Sequence, residues 1–122
     1  MVKPVEPRMY VIVRSDLEAI YRMVQGGHAL ASYTMSYPKE TKEWDNEYLI
    51  YLSTFLEGNL RKVYDTLVDY RMAHYDKKTG DVFKVAKFHE PDQNDQMTAI
   101  AVFENGSGHV SKLLGKLPLA KV

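Results

Sequence analysis

Acidic and amide side chains are concentrated in one segment of the chain, His89-Glu90-Pro91-Asp92-Gln93-Asn94-Asp95. The segment follows a run of strand-forming residues, and ligand sites of open α/β sheets gather outside the carboxyl ends of strands. A carboxylate beside a histidine can act as general base for a water molecule or can bind a divalent cation. The spacing does not match a calcium-binding loop, because the alternating Asp/Asn pattern and the closing Glu are absent. The segment therefore predicts a carboxylate that acts as general base, a cation-binding loop, or a solvated turn.

A second unusual feature is Gln25-Gly26-Gly27-His28, which falls inside a predicted helix. Each interior glycine costs a helix roughly 1 kcal/mol relative to alanine. A helix that accepts this cost often needs its backbone approached closely, either by a neighbouring strand or by a ligand. His28 is accordingly interpreted either as a hydrogen-bonded, half-buried histidine or as a catalytic group.

The elements that would position these residues follow from the hydrophobic pattern. The Ser15–Glu18 pair fits a capping box at the start of the first helix. The order of elements predicts a three-layer α/β domain, and its two adjacent late strands predict a mixed sheet. Residues 1–7 are expected to form a flexible arm before a single domain over 8–122. The predicted strands cover 9–13, 48–53, 82–88 and 98–103. The predicted helices cover 15–34, the Leu60–Val68 stripe and 110–117. Residues 36–46 between the first helix and the second strand are predicted as a surface loop.

Composition restricts the classes of function. The 122 residues carry 16 basic and 16 acidic side chains, so the formal net charge is 16 − 16 = 0. A neutral protein lacks the general positive field that favours nucleic acid. No cysteine is present, which excludes a disulfide framework and a thiolate nucleophile. With no signal segment and no apolar stretch of about 20 residues, we expect a cytoplasmic protein without a membrane partner.

Two patches of the sequence resemble a known family. Val13-Arg14-Ser15-Asp16-Leu17, followed by the helix segment Gln25-Gly26-Gly27-His28-Ala29, is similar to the opening of the archaeal/eukaryotic-type (type 2) peptidyl-tRNA hydrolases. The likeness resumes late in the chain, with Thr98–Val102 similar to the last strand and Val110–Leu119 similar to the closing helix and tail. These enzymes cleave the ester that joins a peptide to the 3′ end of tRNA. The resemblance implies a four-stranded mixed sheet with helices on both faces, a tRNA substrate, a possible homodimer and no cofactor or bound metal.

The resemblance also implies positions for the functional residues. The family's helix lysine, four places before the glutamine, corresponds to Tyr21, with Arg22 beside it. The strand-end aspartate corresponds to Glu90 or Asp92, and the strand threonine corresponds to Thr98. The resemblance thus predicts catalytic roles at Glu90, Asp92 and Thr98.

These residues suggest a mechanism of ester hydrolysis. Glu90 or Asp92 is the expected base, with His28 as the competing candidate, and Arg22 would supply a cationic donor. Thr98 and Gln25 would position substrate or water. The remaining residues expected to contact substrate are Tyr21, Gly26, Gly27, Arg14 and Lys112.

Two other functions fit the same residues. A domain without the family lysine could bind RNA, a nucleotide or a protein through the Gly26-Gly27 surface without catalysing a reaction. A metal-dependent hydrolase could instead be built on His89, Glu90 and Asp92.

Overall fold

A computed structural model of the chain describes residues 2–121. These residues form four strands, four α-helices and one turn of 3-10 helix. In chain order the strands and helices are β1 (Arg8–Arg14), α1 (Ala19–Ser36), α2 (Pro38–Trp44), β2 (Leu49–Thr54), α3 (Glu57–Ala73), β3 (Val85–Glu90), the 3-10 turn (Pro91–Gln93), β4 (Gln96–Glu104) and α4 (His109–Leu114).

The strands form one mixed sheet in the order β2-β1-β4-β3. β1 pairs in parallel with β2, from Met9 opposite Leu49 to Arg14 opposite Thr54. β4 runs antiparallel to both of its neighbours, β1 and β3. Because β1 and β4 occupy the centre, nearly all of their residues are buried, which explains why both read as continuous apolar runs.

Helices cover both faces of the sheet. Met9, Val11 and Val13 of β1 point to the face covered by α1 and α2, where they pack with Ala29 and Tyr33. Tyr10 and Ile12 point to the opposite face and join a core cluster with the buried leucines of α3 and α4. Because successive side chains of a strand point to opposite faces of the sheet, β1 contributes to two separate cores. The predicted three-layer α/β fold, with a mixed four-stranded sheet, is confirmed.

The first helix differs from its prediction at its start and in its buried face. It begins at Ala19 and has no side-chain cap, because the N–H groups of Ser15 and Asp16 bond to Thr54 and Phe55 and prolong the pairing beyond β1. The spacing of three and four residues predicts a buried stripe of Leu17, Ile20, Tyr21, Val24, His28 and Ala31 in this helix. Ile20, however, is 73% exposed and Val24 is 49% exposed. The buried residues are instead Gln25, Gly26, Ala29 and Tyr33.

The predicted loop over 36–46 contains the helix α2. Pro38 occupies its first turn, where the missing N–H of proline is harmless. Trp44 anchors the end of the helix, since its ring is buried and its indole N–H donates to the carbonyl of Tyr48 at 2.9 Å. A charged segment is therefore helical because it ends in one large buried aromatic side chain.

Both ends of the described chain are tied to the domain. At the N-terminal end, the N–H of Val5 donates to the carbonyl of Gly106 at 3.0 Å, so the predicted flexible arm lies against the turn after β4. At the C-terminal end, the carbonyl of Pro118 accepts from the N–H of Ser53, and the N–H of Ala120 donates to the carbonyl of Tyr51. The outer edge of β2 is thereby covered by a short antiparallel segment.

Candidate functional site

Three of the predicted site residues form a chain of hydrogen bonds between α1, β3 and β4. The Thr98 hydroxyl donates to Oε1 of Gln25 at 2.6 Å. The amide nitrogen of Gln25 in turn donates to Oε2 of Glu90 at 3.0 Å. Both polar ends of a buried glutamine are thus satisfied, as burial of an amide requires.

A β-bulge places Thr98 in this chain. In the pairing of β3 with β4, Phe88 lies opposite Ala99 and His89 lies opposite Met97, so Thr98 is left without a partner across the ladder. A residue inserted in this way changes the direction of its neighbours' side chains. Met97 accordingly packs on the α3 side, while Thr98 reaches Gln25 on the α1 side.

Glu90 is the member of the chain that reaches solvent. Thr98 is completely buried and Gln25 is 1% exposed, whereas Glu90 is partly exposed at the end of β3. Its second oxygen, Oε1, accepts from the N–H of Asp92 at 3.3 Å. Two donors therefore fix the carboxylate, and its remaining lone pairs are available to a water molecule or a substrate. Thr98, predicted as catalytic, acts on this carboxylate only through Gln25, so the geometry makes it a positioning residue.

Asp92, His28 and His89 have different surroundings. Asp92 is exposed, and its backbone rather than its carboxylate contacts Glu90. The His28 ring stacks on Phe88 with 4.6 Å between ring centres. Nδ1 of His89 lies 2.8 Å from the carbonyl of Asp95. Within residues 2–121, no three His, Asp or Glu side chains are grouped closely enough to hold a metal ion, so the predicted metal set of His89, Glu90 and Asp92 is not assembled.

The two glycines of α1 have different environments. A Cβ atom on Gly26 would lie 2.5 Å from Cε2 of Tyr51 and 3.0 Å from Cγ1 of Val11, so this glycine allows close packing on the sheet. Gly27 has no atom within 4 Å of the same position and is exposed. Tyr21, one helical turn before Gln25, is partly exposed. The open backbone surface predicted for both glycines is thus confined to Gly27.

The burial of Tyr51 also affects its hydroxyl. Removal from water raises the pKa of Tyr51 above its ordinary value of 10.0. The shift favours the neutral form of the Tyr51 hydroxyl.

The two arginines predicted at the site, Arg22 as cationic donor and Arg14 as substrate contact, are occupied by internal contacts. Arg14 is buried and forms two hydrogen bonds with the carboxylate of Asp16, at 3.0 and 2.7 Å, and one with Gln96 at 2.9 Å. Arg22 donates to the backbone carbonyls of Ser15, Leu17 and Lys121. Both guanidinium groups join chain segments near the carboxyl end of β1. Gln96 was not predicted as a partner, because nothing local in the sequence pairs residues 82 positions apart. Asp16 was not predicted either, although it lies only two positions from Arg14 and carries the opposite charge.

Lys112 lies away from these residues. It belongs to α4, which follows the carboxyl end of β4, whereas Thr98 lies near the amino end of that strand. The neighbouring Ser111 hydroxyl lies 3.0 Å from the hydroxyl of Tyr10, near the beginning of β1. Lys112 is therefore at the opposite end of the sheet and is not part of this site.

No helix among residues 2–121 combines the length and the apolar character needed to cross a bilayer.

Comparison with known proteins identifies a shared fold. No family model matches the chain, and no curated protein matches it either. Among solved structures, the chain is similar to Atu0240, a protein of unknown function from Agrobacterium tumefaciens strain C58, with a TM-score of 0.62 and 12% sequence identity. The match covers 96% of this chain and 99% of that one. At this identity the similarity shows the fold alone.

Proposed function

We propose that this protein is a peptidyl-tRNA hydrolase-like esterase of the cytoplasm, which cleaves the ester between tRNA and a peptide or an N-blocked amino acid. The observation that carries the proposal is the hydrogen-bonded chain of Thr98, Gln25 and Glu90. These residues lie far apart in the sequence. The family resemblance assigned roles to Glu90 and Thr98, and the expected mechanism gave Gln25 a positioning role. Their contact at the carboxyl end of β3 supports the use of Glu90 as the catalytic carboxylate.

In the proposed reaction, Glu90 takes a proton from a water molecule, and the resulting hydroxide forms a bond to the ester carbonyl carbon. The bond between that carbon and the ribose oxygen then breaks. Glu90 returns the proton to the ribose oxygen, so that the free carboxylic acid and tRNA leave. Gln25 and the Asp92 N–H hold the carboxylate in one orientation during both proton transfers.

The decisive experiment is the release of N-acetylaminoacyl groups from tRNA by wild-type protein and by Glu90→Gln. General base catalysis contributes about 10²–10⁴-fold, so we expect at least a 100-fold lower rate for this variant. The matched control is Glu18→Gln, which changes an exposed glutamate outside the hydrogen-bonded chain. Release by Glu90→Gln at the wild-type rate would exclude the assignment, and a selective loss in Asp92→Asn would transfer the role to Asp92.

A second candidate is a binding module without catalysis. It is favoured by one observation: Arg14 and Arg22 are engaged by Asp16, Gln96 and backbone carbonyls, and Tyr21 replaces the family lysine. The expected ester hydrolysis needs a cationic donor for the developing oxyanion, and neither Arg22 nor a lysine at position 21 supplies one, which weighs against catalysis. If tRNA binds at low salt, with an affinity that falls as salt rises, but no ester is cleaved, the binding module is correct. If neither binding nor cleavage is detected, both tRNA functions are excluded.

A further inference from the structure

The side of α1 that faces away from the sheet has an unusual composition. Over Ala19–Ser36, all of which the structure describes, none of the exposed residues is an aspartate, a glutamate, a lysine or an arginine. The exposed residues are Ile20, Val24, Gly27, His28, Ala31, Met35 and Ser36. Arg22, the one arginine of the helix, donates to the backbone carbonyls of Leu17 and Lys121 and so is used within the domain.

The helix on the opposite face of the sheet provides a comparison within the same molecule. α3 has 17 residues, one fewer than α1, and its exposed residues include Arg61, Lys62, Asp65 and Asp69. Charged and polar residues of this kind are typical of the solvent side of a surface helix. The outer side of α1 instead has the composition of a buried helix face, although no element among residues 2–121 covers it.

The apolar residues of this outer side form one stripe. Their spacing along α1 is four, three, four and four residues, and residues three or four apart lie on the same side of a helix. Ile20 is 73% exposed at one end of the stripe, and Met35 is 84% exposed at the other. In the middle lie Gly27 and Ala31, and a Cβ atom on Gly27 would meet no other atom within 4 Å. Small residues at this point allow a second helix to approach closely.

We propose that two copies of this chain form a dimer through an antiparallel pair of α1 helices. With the two-fold axis between Gly27 and His28, Ile20 lies opposite the partner's Met35, and Val24 lies opposite the partner's Ala31. Large side chains thus pack together at both ends, and a branched side chain faces a small one beside the centre. A two-fold interface must be self-complementary, and this order of large and small residues meets that condition.

The charges of the protein favour a second copy over other partners. Nucleic acids and anionic membrane surfaces are bound through lysine and arginine side chains, and the described residues of α1 expose neither. A charged peptide would lose its hydration against an apolar stripe without gaining an ion pair. The net charge of the chain is 0, so two copies do not repel each other overall.

The size of the stripe sets the expected strength of the dimer. At 1.5 Å per residue and a width of about 10 Å, the helix presents a face of roughly 270 Å². Tight complexes bury about 800 Å² on each partner. We therefore expect a reversible dimer with a dissociation constant in the micromolar range, and this expectation is independent of the proposed esterase activity.

The test is sedimentation equilibrium of the full chain. Wild type should change from monomer to dimer as its concentration rises from about 1 µM to about 1 mM. Val24→Glu and Ala31→Lys each place an unpaired charge in the interface, so each should weaken dimerisation at least tenfold. Both positions are exposed, so circular dichroism and urea unfolding should show that each variant folds. Met72→Glu, which changes a residue of α3 that is 69% exposed, is the matched control and should dimerise as wild type does.

The double variant Val24→Glu/Ala31→Lys tests the direction of the helix pair. In the antiparallel arrangement each new carboxylate faces a new ammonium group of the partner, so dimerisation should recover to within about threefold of wild type. In a parallel pair like charges would meet and dimerisation would stay weak. A wild-type chain that remains monomeric up to about 1 mM, unchanged dimerisation of either single variant, or a double variant that does not recover would overturn the proposal.

Discussion

The amide nitrogen of Gln25 lies 3.0 Å from Oε2 of Glu90, and this hydrogen bond joins α1 to the end of β3. The two residues are 65 positions apart in sequence. The bond has two consequences, since it satisfies a buried amide and it sets the orientation of a partly exposed carboxylate. The stability of the sheet edge and the chemistry proposed for Glu90 are therefore coupled.

Removal of the Thr98 hydroxyl should reveal this coupling. Thr98→Val keeps the side-chain shape but leaves Oε1 of Gln25 buried without a donor, so we expect a loss of about 1–3 kcal/mol in the free energy of unfolding. The kcat of ester release should fall, because the orientation of the Glu90 carboxylate is less well fixed. Thr98→Ser, which restores the hydroxyl, should recover most of the rate. Urea denaturation measures the loss of stability, and the release assay measures the loss of rate. Equal rates of ester release in Thr98→Val and Thr98→Ser would argue against positioning of Glu90 through Gln25.

Gly26 and Gly27 should respond oppositely to the same substitution. Gly26→Ala places a methyl group 2.5 Å from the Tyr51 ring, so overpacking of about 1–3 kcal/mol should exceed the helix-propensity gain. Gly27→Ala meets open space and should stabilise α1 by about 1 kcal/mol. Thermal or urea unfolding of the two variants provides the measurement, and each variant serves as the control for the other. Effects of the same sign would contradict the packing of Tyr51 on Gly26.

Glu57 should make folding sensitive to acid. The Arg61 side chain and, more weakly, the N–H of Met97 lower the pKa of Glu57 below its ordinary value of 4.5. The charged form is thus favoured by folding, and its contribution is present above pH 4.5 and is lost as pH falls through the lower folded-state pKa. Glu57→Gln should lose about 0.5–1 kcal/mol at pH 7, and the difference from wild type should shrink towards pH 3.

Urea unfolding of wild type and Glu57→Gln at several pH values measures this difference. Glu18→Gln is the control, because Glu18 is exposed and accepts no side-chain hydrogen bond among the described residues. A difference that is constant between pH 7 and pH 3 would show that the carboxylate of Glu57 is not preferentially charged in the folded protein.

Glu104 should be among the most sensitive acidic residues. It is completely buried, and its carboxylate accepts from the N–H groups of Gly106, Gly108 and Ser111 at 2.8 to 2.9 Å. Glu104→Gln replaces one acceptor oxygen by an NH2 group that faces a donor, so we expect a loss of about 2–4 kcal/mol. The exposed Glu6→Gln is the control for urea unfolding. A loss below about 0.5 kcal/mol would contradict this role.

The fold was predictable where apolar residues form a continuous run or a periodic stripe. β1 and β4 are continuous apolar runs, and Leu60 and Leu67 lie on one face of α3. In α1 the rule fails, because a glutamine is buried while Ile20 is exposed. Only the contacts of Gln25 with Thr98 and Glu90 make that burial favourable, and they come from distant strands. α2 was missed because one tryptophan, rather than an apolar stripe, fixes it.

The candidate site was predictable in its residue types and not in its geometry. Family resemblance singled out Gln25, Glu90 and Thr98, but their contact depends on the bulge at Thr98. A bulge of one residue does not produce a recognisable pattern of apolar and polar residues in the sequence. The internal use of Arg14 was also unpredictable, since its partners include a glutamine at the start of β4.

The strand order also constrains how the chain can fold during its synthesis. β3 reaches the other strands only through β4, which is synthesised after the other three strands of this sheet. A nascent chain that ends before Gln96 can pair β1 with β2 but has no partner for β3, and the central apolar strand β1 keeps one edge unpaired. Exposed strand edges favour aggregation. Completion of the sheet, the Thr98 contact and the proposed esterase site therefore all require that β4 has been synthesised.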